Sequence, residues 1–189
     1  GDMLTDLVYC DFLRKSNVRE KKIKTNSAIY QLIDFYTIFY NTFASKNIVE
    51  ENFWTRNVNT PEITAWYGLA FERICKSHVP QIKAALGIAS VSTEFYIWKT
   101  NQVENGAQID VIIDRADNTI NLCEVKYCED LYSLDKEEFL KIQNRISAFK
   151  RVTGTRSSII PTMITTFGMK EGMYSDQIIA KVDMDALFA

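Results

Sequence analysis

GAQIDVIIDRADNTINLCEVKY, residues 106–127, reads as two apolar strands joined by a polar turn. Three charges interrupt it: Asp110 in the first strand, Glu124 and Lys126 in the second. A three-residue loop, Ala116-Asp117-Asn118, would put Asn118 in the left-handed conformation that asparagine tolerates. That register pairs Arg115 with Thr119 and Asp110 with Glu124. Strict alternation along each strand sets Asp110 on the face of Ile112, and Glu124 and Lys126 on the face of Ile120 and Leu122. Two carboxylates directly opposite each other destabilise a sheet unless a cation stands between them. Hard oxygen ligands of this kind suit Mg²⁺ or Mn²⁺. Lys126, pointing the same way, would stabilise a nearby anion or position a water. The plainer reading is an edge hairpin whose charges are solvated or paired with one another.

The rest of the chain sets limits on this reading. It has 189 residues, 47% of them hydrophobic, enough for one core with a small appended module. A net charge of −2 gives no global basic field, so any nucleic-acid contact must be local. The four cysteines lack paired ligand spacing and the chain has one histidine, His78, which argues against zinc. Reduced thiols of this sort fit a cytoplasmic protein. No apolar run approaches the ~20 residues that span a membrane, and no phosphate-binding G-x-x-x-x-G-K-[ST] loop is present.

Upstream, residues 1–31 read as a small module: a helical start, then RKSNVREKKIK with six basic residues against one acidic, then a hairpin turning at Thr25-Asn26. Arg19, Lys21 and Lys22 in that run are either solvated or a nucleic-acid contact. Asp34 can cap a helix over FYTIFYNTFAS, whose Phe35, Phe39 and Phe43 lie four apart like a core stripe. Residues 46–59 read as a loose linker. Thr60-Pro61-Glu62 is a helix start. Pro80 disfavours helix at Val79, and a second short helix ends at Gly87. Strands follow over STEFYIWKT and the two arms of the hairpin. A helix then runs from Asp135 to about Arg151, with strands over SSIIPTMITTF and DQIIAKV and a closing turn over DMDALF. From Thr60 the order is helix, three strands, helix, strand, an α/β (α+β) domain around a central mixed sheet.

Asp110, thirteen intervening residues, then Glu124-Val125-Lys126 resembles the signature of the PD-(D/E)xK nucleases, the restriction-endonuclease-like superfamily, whose core has that same element order. The proline usual before the aspartate is replaced by Ile109. AIYQLIDFYTIFY, WYGLAFERICKSHVPQIKAALGI, the hairpin and the final MDALF further resemble the C-terminal portion of bacterial and archaeal AAA-type ATPases. Those proteins join a P-loop ATPase domain, a winged helix and a nuclease-like domain. The resemblance implies a partial winged-helix module and connecting helix over 1–45, a linker over 46–59 and a nuclease-like domain over 60–189. It implies a Mg²⁺ or Mn²⁺ ion held by Asp110, Glu124, the backbone carbonyl of Val125 and, from the first core helix, Glu72. On a helical wheel Glu72 lies with Gly68, Cys75 and Val79; a salt bridge to Lys76 or Arg73 is the alternative. Gln143 would orient a phosphate or the attacking water, and Lys141, Arg145, Lys150, Arg151 and Arg156 would grip substrate. DNA is the implied partner, beside the ATPase domain of the same polypeptide. The oligomeric state is left open, a homo-oligomer included. The rival reading is a catalytically weak or inactive nuclease-fold module that binds DNA or protein and regulates the ATPase. His78 reads as a helix-end histidine, and Cys123 as a small core residue.

Overall fold

The computed structural model describes residues 2–19, 28–46, 51–103 and 106–189. The elements that position the charged hairpin begin with α4 (Pro61–Ser77), counted after three shorter helices: α1 (Asp2–Tyr9), α2 (Phe35–Thr42) and α3 (Phe53–Asn57). Pro61 opens α4 because its missing N–H falls in the first turn, where no intrahelical partner exists. The break expected at Val79 falls at His78. Pro80 then sits inside the first turn of α5 (Val79–Ala85), and Gly87, at φ +69°, turns the chain away. Asp135 caps α6 (Lys136–Thr153), accepting from the Glu138 amide at 2.8 Å, and Gly154 ends it at φ +62°.

Among the described residues seven strands form one mixed sheet in the order β2-β1-β3-β4-β5-β6-β7. They are β1 (Leu13–Arg19), β2 (Ala28–Leu32), β3 (Thr93–Thr100), β4 (Ala107–Arg115), β5 (Thr119–Lys126), β6 (Ser158–Thr165) and β7 (Ala180–Asp183). The middle strands β3, β4 and β5 are antiparallel neighbours, and β5, β6 and β7 run parallel. A 3₁₀ turn over Asp185–Leu187 closes the chain. The first hairpin, β1 with β2, is antiparallel. Among the described residues it meets β3 through the parallel pairs Val18↔Ile97 and Arg19↔Trp98. The expected turn at Thr25-Asn26 lies outside the described residues.

Helices cover both faces. On one, Ile142, Ile146 and Phe149 of α6 bury Trp98, Ile112 and Leu122. On the other, Phe71 and Cys75 of α4 and Ile82 of α5 bury Val111, Ile113 and Cys123. The aromatic stripe of α2 is only partly core. Phe43 is 2% exposed and Phe39 packs on Phe43, Trp54 and Trp66, but Phe35 is 39% exposed. The helix is one element at the rim, so its stripe meets aromatic rings from α3 and α4 along part of its length. None of the described helices is long and apolar enough to cross a membrane.

Candidate active site

The β4–β5 turn takes the expected form. Asn118 has φ +59°, and the ladder runs Asp114↔Ile120 to Val111↔Cys123, the register that sets Asp110 opposite Glu124. The ladder stops one step short of that pair. Beyond Val111↔Cys123 a cavity of about 180 Å³ opens, lined by Gln108, Ile109 and Asp110 of β4 and Cys123, Glu124 and Val125 of β5. Glu72 of α4 and Arg145 of α6 complete the lining.

Asp110 does not follow Ile112 by strict alternation. The β3–β4 register slips between Tyr96↔Ile112 and Trp98↔Ile109, so two residues, Asp110 and Val111, stand opposite Ile97. Ile109 and Ile112 therefore both face α6, while Val111 and Ile113 face α4. Such a bulge re-aims a side chain next to a site. Here Asp110 reaches Lys76 of α4, and Glu124 reaches Arg145 of α6.

Each carboxylate has a cation. Lys76 Nζ pairs with Glu72 and lies 3.5 Å from Asp110 Oδ1, its side chain only 2% exposed. Gln108 Nε2 also donates to Asp110 Oδ1 at 2.6 Å. Glu124 pairs with Arg145, and with Lys126 Nζ at 3.3 Å. Lys126 in turn donates to Glu138 Oε2 at 3.0 Å. Burial alone would lower the pKa of Lys126, but the Glu138 bond and the Glu124 charge outweigh it and hold the value above its ordinary range. Arg145 shows the same balance: burial pulls its pKa down, and the bond to Glu124 raises it further.

The structure thus brings Glu72, Asp110, Glu124, Val125 and Arg145 to one cavity, with Lys126 tied to its rim through Glu124. The alternative foreseen for Glu72, a salt bridge to Lys76, is present as well. Gln143 does not line the cavity. Lys141 lies outside it and pairs with Glu137 and Glu138 at 2.8 and 2.9 Å. Arg19 lies elsewhere: it is 8% exposed, stacks over the Tyr96 ring at 4.2 Å and pairs with Glu94. Lys21 and Lys22 lie outside the described residues. His78 closes a helix end, its Nδ1 2.8 Å from the Ile74 carbonyl, and Cys123 is a buried core residue. Sequence reasoning gave Lys76 only as a partner for Glu72, and passed over Gln108 and Glu138. The signals were there in the i,i+4 spacing of Glu72 and Lys76 and in Gln108 two residues before Asp110.

The carboxylates of Glu72, Asp110 and Glu124 form an all-oxygen donor set, whose chemistry fits a hard divalent cation. Among the described residues no three acidic, histidine or cysteine side chains cluster for a metal, and Lys76, Lys126 and Arg145 pair with the carboxylates instead.

No protein-family model matches the chain, and no curated protein matches it. Among solved structures it is similar to one described as "Crystal Structure of Protein of Unknown Function AF1548". The TM-score is 0.40, with 17% identity over 60% of this chain and 64% of that one. The chain therefore spans less than two thirds of that structure's length.

Proposed function

We propose that this chain is a metal-dependent nuclease-like domain that hydrolyses phosphodiester bonds, with DNA as substrate, and that its core is restriction-endonuclease-like. The observation that carries the reading is the meeting of Glu72, Asp110, Glu124 and the Val125 residue at one cavity, where the β4–β5 ladder parts. The order α4, then β3, β4 and β5, then α6 and β6 supports it too. Asp110, Glu124, Glu72 and the Val125 carbonyl would hold Mg²⁺ or Mn²⁺. Such an ion lowers the pKa of a bound water and neutralises charge on the phosphate.

The chain's own groups do the rest. Lys126 stays charged under its two carboxylates, so it acts as a hydrogen-bond donor to the reacting phosphate or the attacking water, not as a base. Glu138 fixes where that ammonium points. On the residues that resemble the AAA-type ATPases, the domain works as the C-terminal part of such a protein, and residues 1–45 as its partial winged-helix module and connecting helix. The antiparallel β1–β2 hairpin behind α1 suits a wing.

A second reading has its own observation. Every carboxylate of the cavity already has a cation of the protein beside it, and the Lys76 ammonium is sealed between two of them and serves both. A site closed in this way suits a module that binds DNA or protein for the ATPase without cutting. Incubation with single-stranded, duplex and branched DNA in Mg²⁺ or Mn²⁺ separates the two. The nuclease reading expects cleavage that EDTA abolishes. It also expects Lys126→Ala to lose a hundredfold or more in rate while keeping most of its DNA affinity. If the chain joined to its ATPase cuts nothing with ATP and metal, or Lys126→Ala cuts as well as the parent, the binding module takes its place.

A further inference from the structure

Arg145 stands where two spaces meet. It lines the inner cavity with Glu72, Asp110 and Glu124, and also a wider one of about 440 Å³ walled by Lys99, Thr100, Gly106 and Gln108. Asp110 borders both. The wider space is open, and the exposed Lys99 is a second cation on its wall. The Arg145 side chain is 38% exposed, so it has room to swing, and one of its terminal nitrogens holds Glu124.

Resting on the nuclease reading, we propose that Arg145 is an exchange residue. Without substrate it neutralises Glu124. When a nucleic-acid strand enters the wider space, its guanidinium moves to a backbone phosphate and releases Glu124 Oε2 to the divalent ion, while Oε1 stays on Lys126. Guanidinium pairs with phosphate as well as with carboxylate, through the same planar fork of donors. The transfer replaces one anion partner by another, so the arginine charge is never left bare. Glu124 then gains a ligand role only when there is a phosphate to act on. Lys76 makes no such exchange: its ammonium is almost fully buried between Glu72 and Asp110 and faces neither open space. The conditional half of the metal site is therefore the α6 side, and the α4 side is fixed.

Coupling of this kind is reciprocal, so strand and metal must tighten each other by the same factor. The test follows Mn²⁺ binding by loss of the free-ion paramagnetic resonance signal, with Mn²⁺ alone and with a cleavage-resistant phosphorothioate oligonucleotide. The parent should bind Mn²⁺ weakly alone and about tenfold more tightly with the oligonucleotide. Its oligonucleotide affinity should rise by the same factor with Mn²⁺, and this arm needs no variant. Arg145→Met should bind Mn²⁺ tightly without the oligonucleotide and gain little from it. If its melting transition is lost, Arg145→Lys carries the comparison, shifting the same way by a smaller factor. Glu124→Gln should lose the ion in every case. If Glu124→Gln loses Mn²⁺ while Arg145→Met binds no tighter than the parent, the exchange is overturned and the metal site stands. If Glu124→Gln binds as the parent does, or nothing binds, both fail.

Discussion

Lys76 is the residue that chain position alone would misjudge. Lysine is almost never fully buried unless paired, and this one is 6% exposed with Glu72 and Asp110 as its partners. Removing it leaves two carboxylates facing each other in a partly dry cleft, and groups left unpaired there cost more than the pair contributes. Lys76→Met should destabilise the metal-free protein by about 1–3 kcal/mol in urea unfolding. Glu72→Gln in the same chain should recover part of that loss, because it removes one of the stranded charges. Additivity of the two substitutions would show that the ion pair contributes no coupling. The same geometry changes what is expected of Asp110. The repulsion across the hairpin that seemed to call for an external cation is already answered by Lys76 on one side and Arg145 on the other.

At the scale of elements, α6 carries both Glu138, which holds Lys126, and Arg145, which holds Glu124. Its start is fixed by one side chain, the Asp135 carboxylate on the Glu138 amide. Asp135→Ala should cost about 1 kcal/mol in thermal or urea unfolding, and fraying of the first turn should loosen Glu138 with it. An unchanged melting point would mean that the first turn is held by packing instead. The cap, the helix length and the β4–β5 turn were all legible in the sequence, because each rests on local chemistry: Asp135 before an acidic first turn, Asn118 in a three-residue loop. The bulge at Asp110-Val111 was not. It depends on which β3 residues stand opposite, and neither Asp110 nor Val111 carries a mark of it. The charges of the site could thus be named from sequence, while the helix each one reaches could not. The attachment of β1 to β3 was hidden for the same reason, since its pairs lie some eighty positions apart in the chain.

For the whole molecule, that attachment decides how far the sheet acts as one unit. Among the described residues the β1–β2 hairpin meets β3 through Val18↔Ile97 and Arg19↔Trp98, reinforced by Arg19 on Tyr96 and Glu94, and meets α4 through Arg14 on the Arg73 carbonyl and Ser77 and through Arg73 on the Leu32 carbonyl. The central strands, by contrast, are paired on both sides and covered by helices on both faces. Proteins open in cooperative blocks, weakest seams first. Amide hydrogens of Leu13–Arg19 and Ala28–Leu32 should therefore exchange with deuterium together, at least about tenfold faster than those of β4, β5 and β6. Equal protection across all seven strands would make the sheet one unit. A molecule opened at that seam shows a bare flank of β3, with backbone donors and acceptors ready for any extended chain. Association of the protein with itself should then rise with concentration under mild denaturant, and Arg19→Ala, which weakens the seam, should bring it on earlier.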